Sequence, residues 1–182
     1  MVVILLGTGF EEAEALVPAD LMRRAGIEVA LVSVTGQPEV TGGHGITVRT
    51  NWAQLSSPDR DVELVMLPGG LGGVKAIESN PQALRFVTDV LENSGKAAAI
   101  CAAPTILARL GLLNGRKAVC YPGMEDQLTG ALPQAGSRVV IDGPFITGEA
   151  AGSAFDFGLK LVEILRGNAV ADKVRHDVHY HG

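Results

Sequence analysis

The chain has 182 residues, enough for one domain with a full hydrophobic core. Hydrophobic residues make up 47% and charged residues 19%, with a formal net charge of −5 and no cluster of Lys or Arg. That balance fits a compact α/β protein with much buried strand and argues against non-specific nucleic-acid binding. Two cysteines, Cys101 and Cys120, are too few for a disulfide scaffold.

Val2 to Leu6 is a short apolar run ending at Gly7, Thr8 and Gly9, and reads as a buried parallel strand. It lacks a basic leader and a cleavage site and meets Glu11 and Glu12 almost at once, so it is not read as a signal peptide. No apolar run reaches bilayer-spanning length. The expectation is a cytoplasmic protein without a membrane partner. A helix follows from about Glu11 to Ala25, stopped by Gly26. Acids in its first turns suit the helix dipole, which accounts for Glu11 and Glu12. Glu14 lies on a different side of the helix from Glu12 and can face the strand ends.

Ile27 to Val34 reads as the second strand. The stretch from Gly36 to Asn51 is rich in Gly, Pro and Thr, with a turn at Gly42 to Gly45 and a strand from Ile46. His44 in that turn reads as exposed, and a turn histidine is ordinarily just solvated. Val62 to Leu67 is the next buried strand, broken at Pro68 by a run through Gly69, Gly70, Leu71, Gly72 and Gly73. The glycines leave backbone N–H groups accessible, as in an anion nest. The run is not a phosphate-binding Walker loop, because no Lys-Ser/Thr pair closes it. Nor is Gly7-Thr8-Gly9 a dinucleotide fingerprint, since Glu12 stands where its third glycine belongs.

Asn80 caps a helix from Pro81 to about Asn93, with Leu84, Val87, Val90 and Leu91 on its inner side. A buried strand, Ala97 to Ile100, then turns sharply at Cys101 into a helix whose first residue is Pro104. After a loop at Gly111 to Gly115 come a short strand from Ala118 to Tyr121 and a hairpin from Val139 to Thr147, turning at Asp142 and Gly143. A strong helix covers about Ser153 to Arg166, stopped by Gly167. A last helix near Ala169 to Arg175 leads to His176, His179 and His181. The spacing of these three imidazoles allows a shared metal ion, but the segment reads more simply as a polar terminus. The chain shows no repeat, linker or second domain and is read as one domain over 1–182.

Alternation of strands and helices implies a parallel sheet covered on both faces, with ligands at the carboxyl ends of the strands. That edge collects the turn from Gly7 to Glu14, the glycine run, Cys101 and Tyr121. Ala102 and Ala103 let the chain bend tightly after Cys101, in a manner similar to a nucleophile elbow. A thiol there faces unpaired N–H groups and the positive end of a helix, both of which favour thiolate. The other reading is a buried structural cysteine, which Cys120 fits better.

These residues carry a resemblance. Gly9-Phe-Glu-Glu-Ala-Glu14, Met22-Arg-Arg-Ala-Gly-Ile27, Leu67-Pro-Gly-Gly70, Ala98-Ala-Ile-Cys-Ala-Ala-Pro104 and Phe155-Asp-Phe157 resemble the ThiJ/PfpI superfamily, in its protein-deglycase branch, over nearly the whole chain. The resemblance implies a flavodoxin-like three-layer sandwich with a mostly parallel sheet, of the class I glutamine amidotransferase-like kind, assembled as a homodimer. It implies a nucleophilic Cys101, Glu14 as its acid/base, and oxyanion or substrate contacts from Gly69, Gly70 and Ala102. Family activities include glyoxalase III-like conversion of 2-oxoaldehydes such as methylglyoxal and glyoxal, repair of early glycation adducts, redox sensing through cysteine oxidation, and chaperoning. No metal or organic cofactor is implied; the partner is a small reactive carbonyl compound.

The chain departs from the family pattern in several places. Tyr121 stands at the position of the active-site histidine and is a candidate substrate contact; His44 falls near a position where relatives carry arginine and is a second candidate, able to supply an imidazole. Glu149 replaces an arginine in the loop from Gly148 to Ser153. Ala102 follows the cysteine where the protease-like branch has histidine, so a Cys-His peptidase dyad is not expected.

Overall fold

A computed structural model of the chain describes residues 1–55 and 61–182. In chain order the elements are β1 (Val2–Leu6), α1 (Glu12–Arg24), β2 (Val29–Ser33), β3 (Glu39–Thr41), β4 (Thr47–Arg49) and β5 (Leu64–Leu67). Then come α2 (Leu71–Glu78), α3 (Pro81–Glu92), β6 (Lys96–Ile100), α4 (Pro104–Arg109), β7 (Lys117–Ala118) and β8 (Leu132–Pro133). The chain closes with β9 (Val139–Asp142), β10 (Phe145–Gly148), α5 (Ala154–Arg166) and α6 (Asn168–Asp177). Six strands form the central sheet in the order β2-β1-β5-β6-β10-β9. All neighbours pair in parallel except β9, which lies antiparallel on β10 at the edge. The mostly parallel sheet expected from the sequence is therefore present.

Alternation along the strands builds the layers. Val3 and Leu5 of β1 join Val65, Leu67, Ala97 and Ala99 in a core shared with Val74, Val87 and Ile106 of α2, α3 and α4. Val2, Ile4 and Leu6 join Leu64, Met66, Ala98 and Ile100 in the opposite core, closed by Met22, Phe157 and Val174 of α1, α5 and α6. A strand buried on both faces needs no polar residue, which is why β1 reads as a continuous apolar run. The outer helices pack closely: a Cβ on Gly158 of α5 would stand 2.9 Å from Pro18 Cα of α1.

The largest difference from the sequence reading lies after β5. The glycine run is no open nest, because Leu71 already begins the eight-residue helix α2. A Cβ on Gly73 would stand 2.8 Å from Phe10 Cα, and one on Gly72 2.9 Å from the Thr8 carbonyl oxygen. These glycines let α2 press its backbone against the turn between β1 and α1, a close approach that side chains forbid. A second difference is the strand expected over Ala118 to Tyr121. Only Lys117 and Ala118 pair, in parallel with β8, which the sequence reading did not find. The Val119 amide turns instead to Thr147 Oγ1 at 3.0 Å.

Candidate active site

The carboxyl ends of β1, β5, β6 and β10 converge on one acid and one thiol. Glu14 lies in the first turns of α1 and is 1% exposed. Its Oε2 accepts the Gly69 N–H at 2.8 Å, and the Ala151 backbone lies near enough to favour its charged form. Burial is the largest influence on this carboxyl and, aided by the nearby charge of Glu11, holds its pKa up at about 7.

Cys101 follows β6 directly and takes a left-handed backbone, φ 65°. A non-glycine residue there is strained, and the strain is held by its neighbours. Its amide donates to the Gly148 carbonyl at 3.0 Å, and its own carbonyl accepts the Tyr121 N–H at 2.8 Å. The side chain is partly exposed, so the sulfur is not sealed in the core. Glu14 and the backbone N–H groups of Gly70 and Ala102 lie near enough to act on it, the carboxyl raising the thiol and the two N–H groups lowering it.

Against the helix-terminus effect expected from the sequence, burial pushes the Cys101 thiol up, to about 12, helped by the Glu14 carboxylate. Helix α4 is only six residues long and begins three positions later, so its dipole contributes little at the sulfur. The raised values of thiol and acid share one physical origin. A half-buried pair tolerates one negative charge more readily than two, so a proton stays between them near neutral pH. When Glu14 holds it, the carboxylate charge that raises the thiol is gone, while the donors Gly70 and Ala102 remain.

Gly69 brings the two groups together. A Cβ there would stand 2.5 Å from Glu14 Oε2 and 2.7 Å from Cys101 Cβ, so only glycine lets acid and thiol meet across it. Its N–H serves the acid, whereas the N–H groups of Gly70 and Ala102 serve the sulfur. Tyr121 is joined to Cys101 through its backbone, and its side chain is exposed. His44 turns elsewhere: its Nδ1 lies 2.9 Å from Glu12 Oε2 and 3.5 Å from Glu11 Oε1. Glu12 is no simple dipole partner, for it is buried and its Oε1 accepts the His44 and Ile46 amides at 2.8 and 3.3 Å.

Cys120 is buried, with its thiol pushed up to about 11 by burial and then by Glu125, as a structural cysteine should be. In the C-terminal segment, Tyr180 stacks on Phe155 at 5.1 Å, while the rings of His176 and His179 lie 6.2 Å apart. The sequence reading missed Gly148 and Ala151 as partners of the pair. Both act through backbone atoms, which no side-chain pattern marks; their only signal was a place at the carboxyl end of β10.

The sequence matches the DJ-1/PfpI family over residues 1–164. Protein dj-1beta of Drosophila melanogaster is 36% identical over 174 residues, covering 94% of this chain and 92% of that protein. The crystal structure of Drosophila melanogaster DJ-1beta superposes with a TM-score of 0.90 at 33% identity, over 100% of this chain and 98% of that one. A deglycase of Pyrococcus abyssi is 29% identical over 167 residues, covering 91% and 99% of the two chains. A structure of oxidized Toxoplasma gondii DJ-1 superposes with a TM-score of 0.90 at 29% identity, over 100% and 98%. Sequence, sheet order and site geometry lead to one conclusion: this chain belongs to the DJ-1/PfpI family.

Proposed function

We propose that the protein is a cysteine-dependent enzyme of glyoxalase III or deglycase type, acting on 2-oxoaldehydes or their early glycation adducts. The observation that carries this reading is the close approach of Cys101 and Glu14 across Gly69, with the acid held near neutrality and the N–H groups of Gly70 and Ala102 favouring thiolate. The name of the Pyrococcus abyssi relative supports the same chemistry.

With Glu14 protonated, the Cys101 thiolate attacks the aldehyde carbon of methylglyoxal. A C–S bond forms, and the carbonyl π electrons move to oxygen. The N–H groups of Gly70 and Ala102 hold the developing oxyanion, which takes the Glu14 proton to give a hemithioacetal. The Glu14 carboxylate then removes the C1 proton, and the electron pair forms an enediolate with its charge on O2. Return of the proton to C2, with the O1 proton passing to O2, leaves a lactoyl thioester. Water cleaves the C–S bond, releasing lactate and the thiol. Atoms balance without an external oxidant, and no cofactor is called for. Tyr121, on the solvent side, is the proposed contact to the substrate's polar atoms; His44, held by Glu12, is not. The family resemblance supports a homodimer as the working form and the cytoplasm as its location; among the described residues no helix is long and apolar enough to cross a membrane.

The test is lactate formation from methylglyoxal by purified protein, beside release of free thiol from a glycated-thiol substrate. Cys101→Ala should abolish turnover. Glu14→Gln should lower it by about a hundredfold or more, the usual contribution of a general acid/base. Full rate in either variant would show the mechanism to be wrong.

The oxidized Toxoplasma gondii relative supports a second reading, in which Cys101 serves as an oxidative-stress sensor or a redox-regulated chaperone. Mild peroxide should then add two oxygens at Cys101 alone, in a protein with negligible turnover. Equal oxidation of Cys120 would count against it.

A further inference from the structure

We propose that Glu11, Glu12 and His44 form a binding site for one divalent transition-metal ion, on the rim of the fold and sharing no ligand with the Cys101–Glu14 pair. Among the described residues, this is the group whose His, Cys, Asp or Glu donor atoms all lie within 4.8 Å of one another.

The geometry is more specific than an acidic surface. Neighbouring donors around a tetrahedral zinc ion, with bonds of about 2.0–2.1 Å, stand roughly 3.3 Å apart. Here His44 Nδ1 lies 2.9 Å from Glu12 Oε2 and 3.5 Å from Glu11 Oε1. Both distances from the imidazole bracket that spacing, and the two carboxylates lie within 4.8 Å of each other, close enough for side-chain adjustment to bring all three onto one ion. Glu12 is 6% exposed, and its Oε1 is taken by two backbone amides. That fixes the carboxylate plane and directs Oε2 at the imidazole.

The turn that carries His44 is itself fastened. The Gly43 amide donates to the Phe10 carbonyl at 2.8 Å, and the Gly42 amide to the Ile46 carbonyl at 2.9 Å. Two ligands thus come from the start of α1 and one from a loop tied to it, so little order is lost when an ion binds. One imidazole and two carboxylates suit zinc and its neighbours better than a hard, oxygen-seeking ion such as magnesium. The side chain of His44 is 69% exposed, which leaves the outer coordination positions to water.

An ordinary His–Glu ion pair would look the same without metal, so the experiment must separate the two. Zinc chloride is titrated calorimetrically into full-length protein carrying Cys101→Ser and His176→Ala/His179→Ala/His181→Ala, which removes the other soft and imidazole donors. One ion per chain should still bind. Adding His44→Ala should weaken binding by about tenfold or more, at least what loss of an outer-shell partner costs. Adding Glu11→Gln, which leaves the Glu12 anchor in place, should weaken it as well. Cobalt titration supplies a second reading: a four-coordinate site gives a strong visible band, lost in the His44 variant. No binding in the background protein, or binding unchanged by both His44→Ala and Glu11→Gln, overturns the proposal. Lactate formation plays no part in this readout, so the site stands or falls apart from the proposed enzyme activity.

Discussion

A single backbone angle makes Cys101 unusual before its chemistry is considered. At φ 65° its Cβ is crowded by its own carbonyl, and the residue stays there because Gly148 takes its amide and Tyr121 donates to its carbonyl. That arrangement puts the sulfur at the mouth of the strand ends and costs stability, as elbows that present a nucleophile do. The expected outcome is that Cys101→Gly is more stable than Cys101→Ala by about 1 kcal/mol, because glycine accepts the left-handed conformation without strain. Urea midpoints of the two variants measure it. Equal midpoints, or alanine ahead, would mean the turn relaxes once the sulfur is gone. The sequence already marked this turn, through Pro104 and the small residues at 102 and 103. It could not show the balance of burial against N–H donors at the sulfur, which depends on how deeply Glu14 and the glycine loop close over it.

Elements were legible where one residue type dominates and obscure where pairing or close approach decides. Strand β1 and helix α5 read directly, because an all-apolar run and a periodic apolar face each have one physical explanation. Helix α2 did not, since Gly72 and Gly73 are poor helix formers and are present for contact with the turn at Thr8 to Phe10. Strand β8 is two residues held by β7, with no pattern of its own. The loop after β10 matters more than its composition suggests. Its Gly148 carbonyl holds Cys101 and its Ala151 backbone reaches Glu14, while Arg138 clamps it from outside. Arg138 Nη2 donates to the Gly152 carbonyl at 2.7 Å, and its Nε pairs with Asp156 at 2.6 Å. The Arg138 side chain is 57% exposed, so Arg138→Ala should cost less than about 1 kcal/mol of stability. It should nevertheless move the pH profile of Cys101 alkylation by iodoacetamide to lower pH, because a protonated Glu14 no longer raises the thiol. A looser Ala151 N–H stabilises the Glu14 carboxylate less, so that acid keeps its proton longer. A superimposable profile would show that the bonds between Ser153 and Ala150 hold the loop without the clamp.

For the whole molecule, the placement of acids predicts how stability changes with pH, and two groups act in opposite directions. Glu63 is held down at about 2, chiefly by its hydrogen bond to Arg166, below its ordinary 4.5. Its contribution is present above pH 4.5 and is lost as pH falls toward 2. Glu14 has the reverse sign, because burial raises it from 4.5 to about 7. The folded protein keeps this proton where the unfolded chain has released it. Its contribution is full below pH 4.5 and is lost as pH rises through 7. At about 1.4 kcal/mol per pH unit, that loss amounts to about 3 kcal/mol. A fold that places its acid at the strand ends thus trades stability at neutral pH for a proton held beside a thiol. Glu14→Gln isolates the effect, since every other titrating group is common to both proteins. Against the variant, the wild-type protein should lose about 3 kcal/mol between pH 4 and pH 8, read as a widening gap between chemical-denaturation midpoints. If the two curves run parallel, the acid is already ionised in the folded state at pH 5. The proton that the proposed chemistry assigns to Glu14 would then have to come from elsewhere.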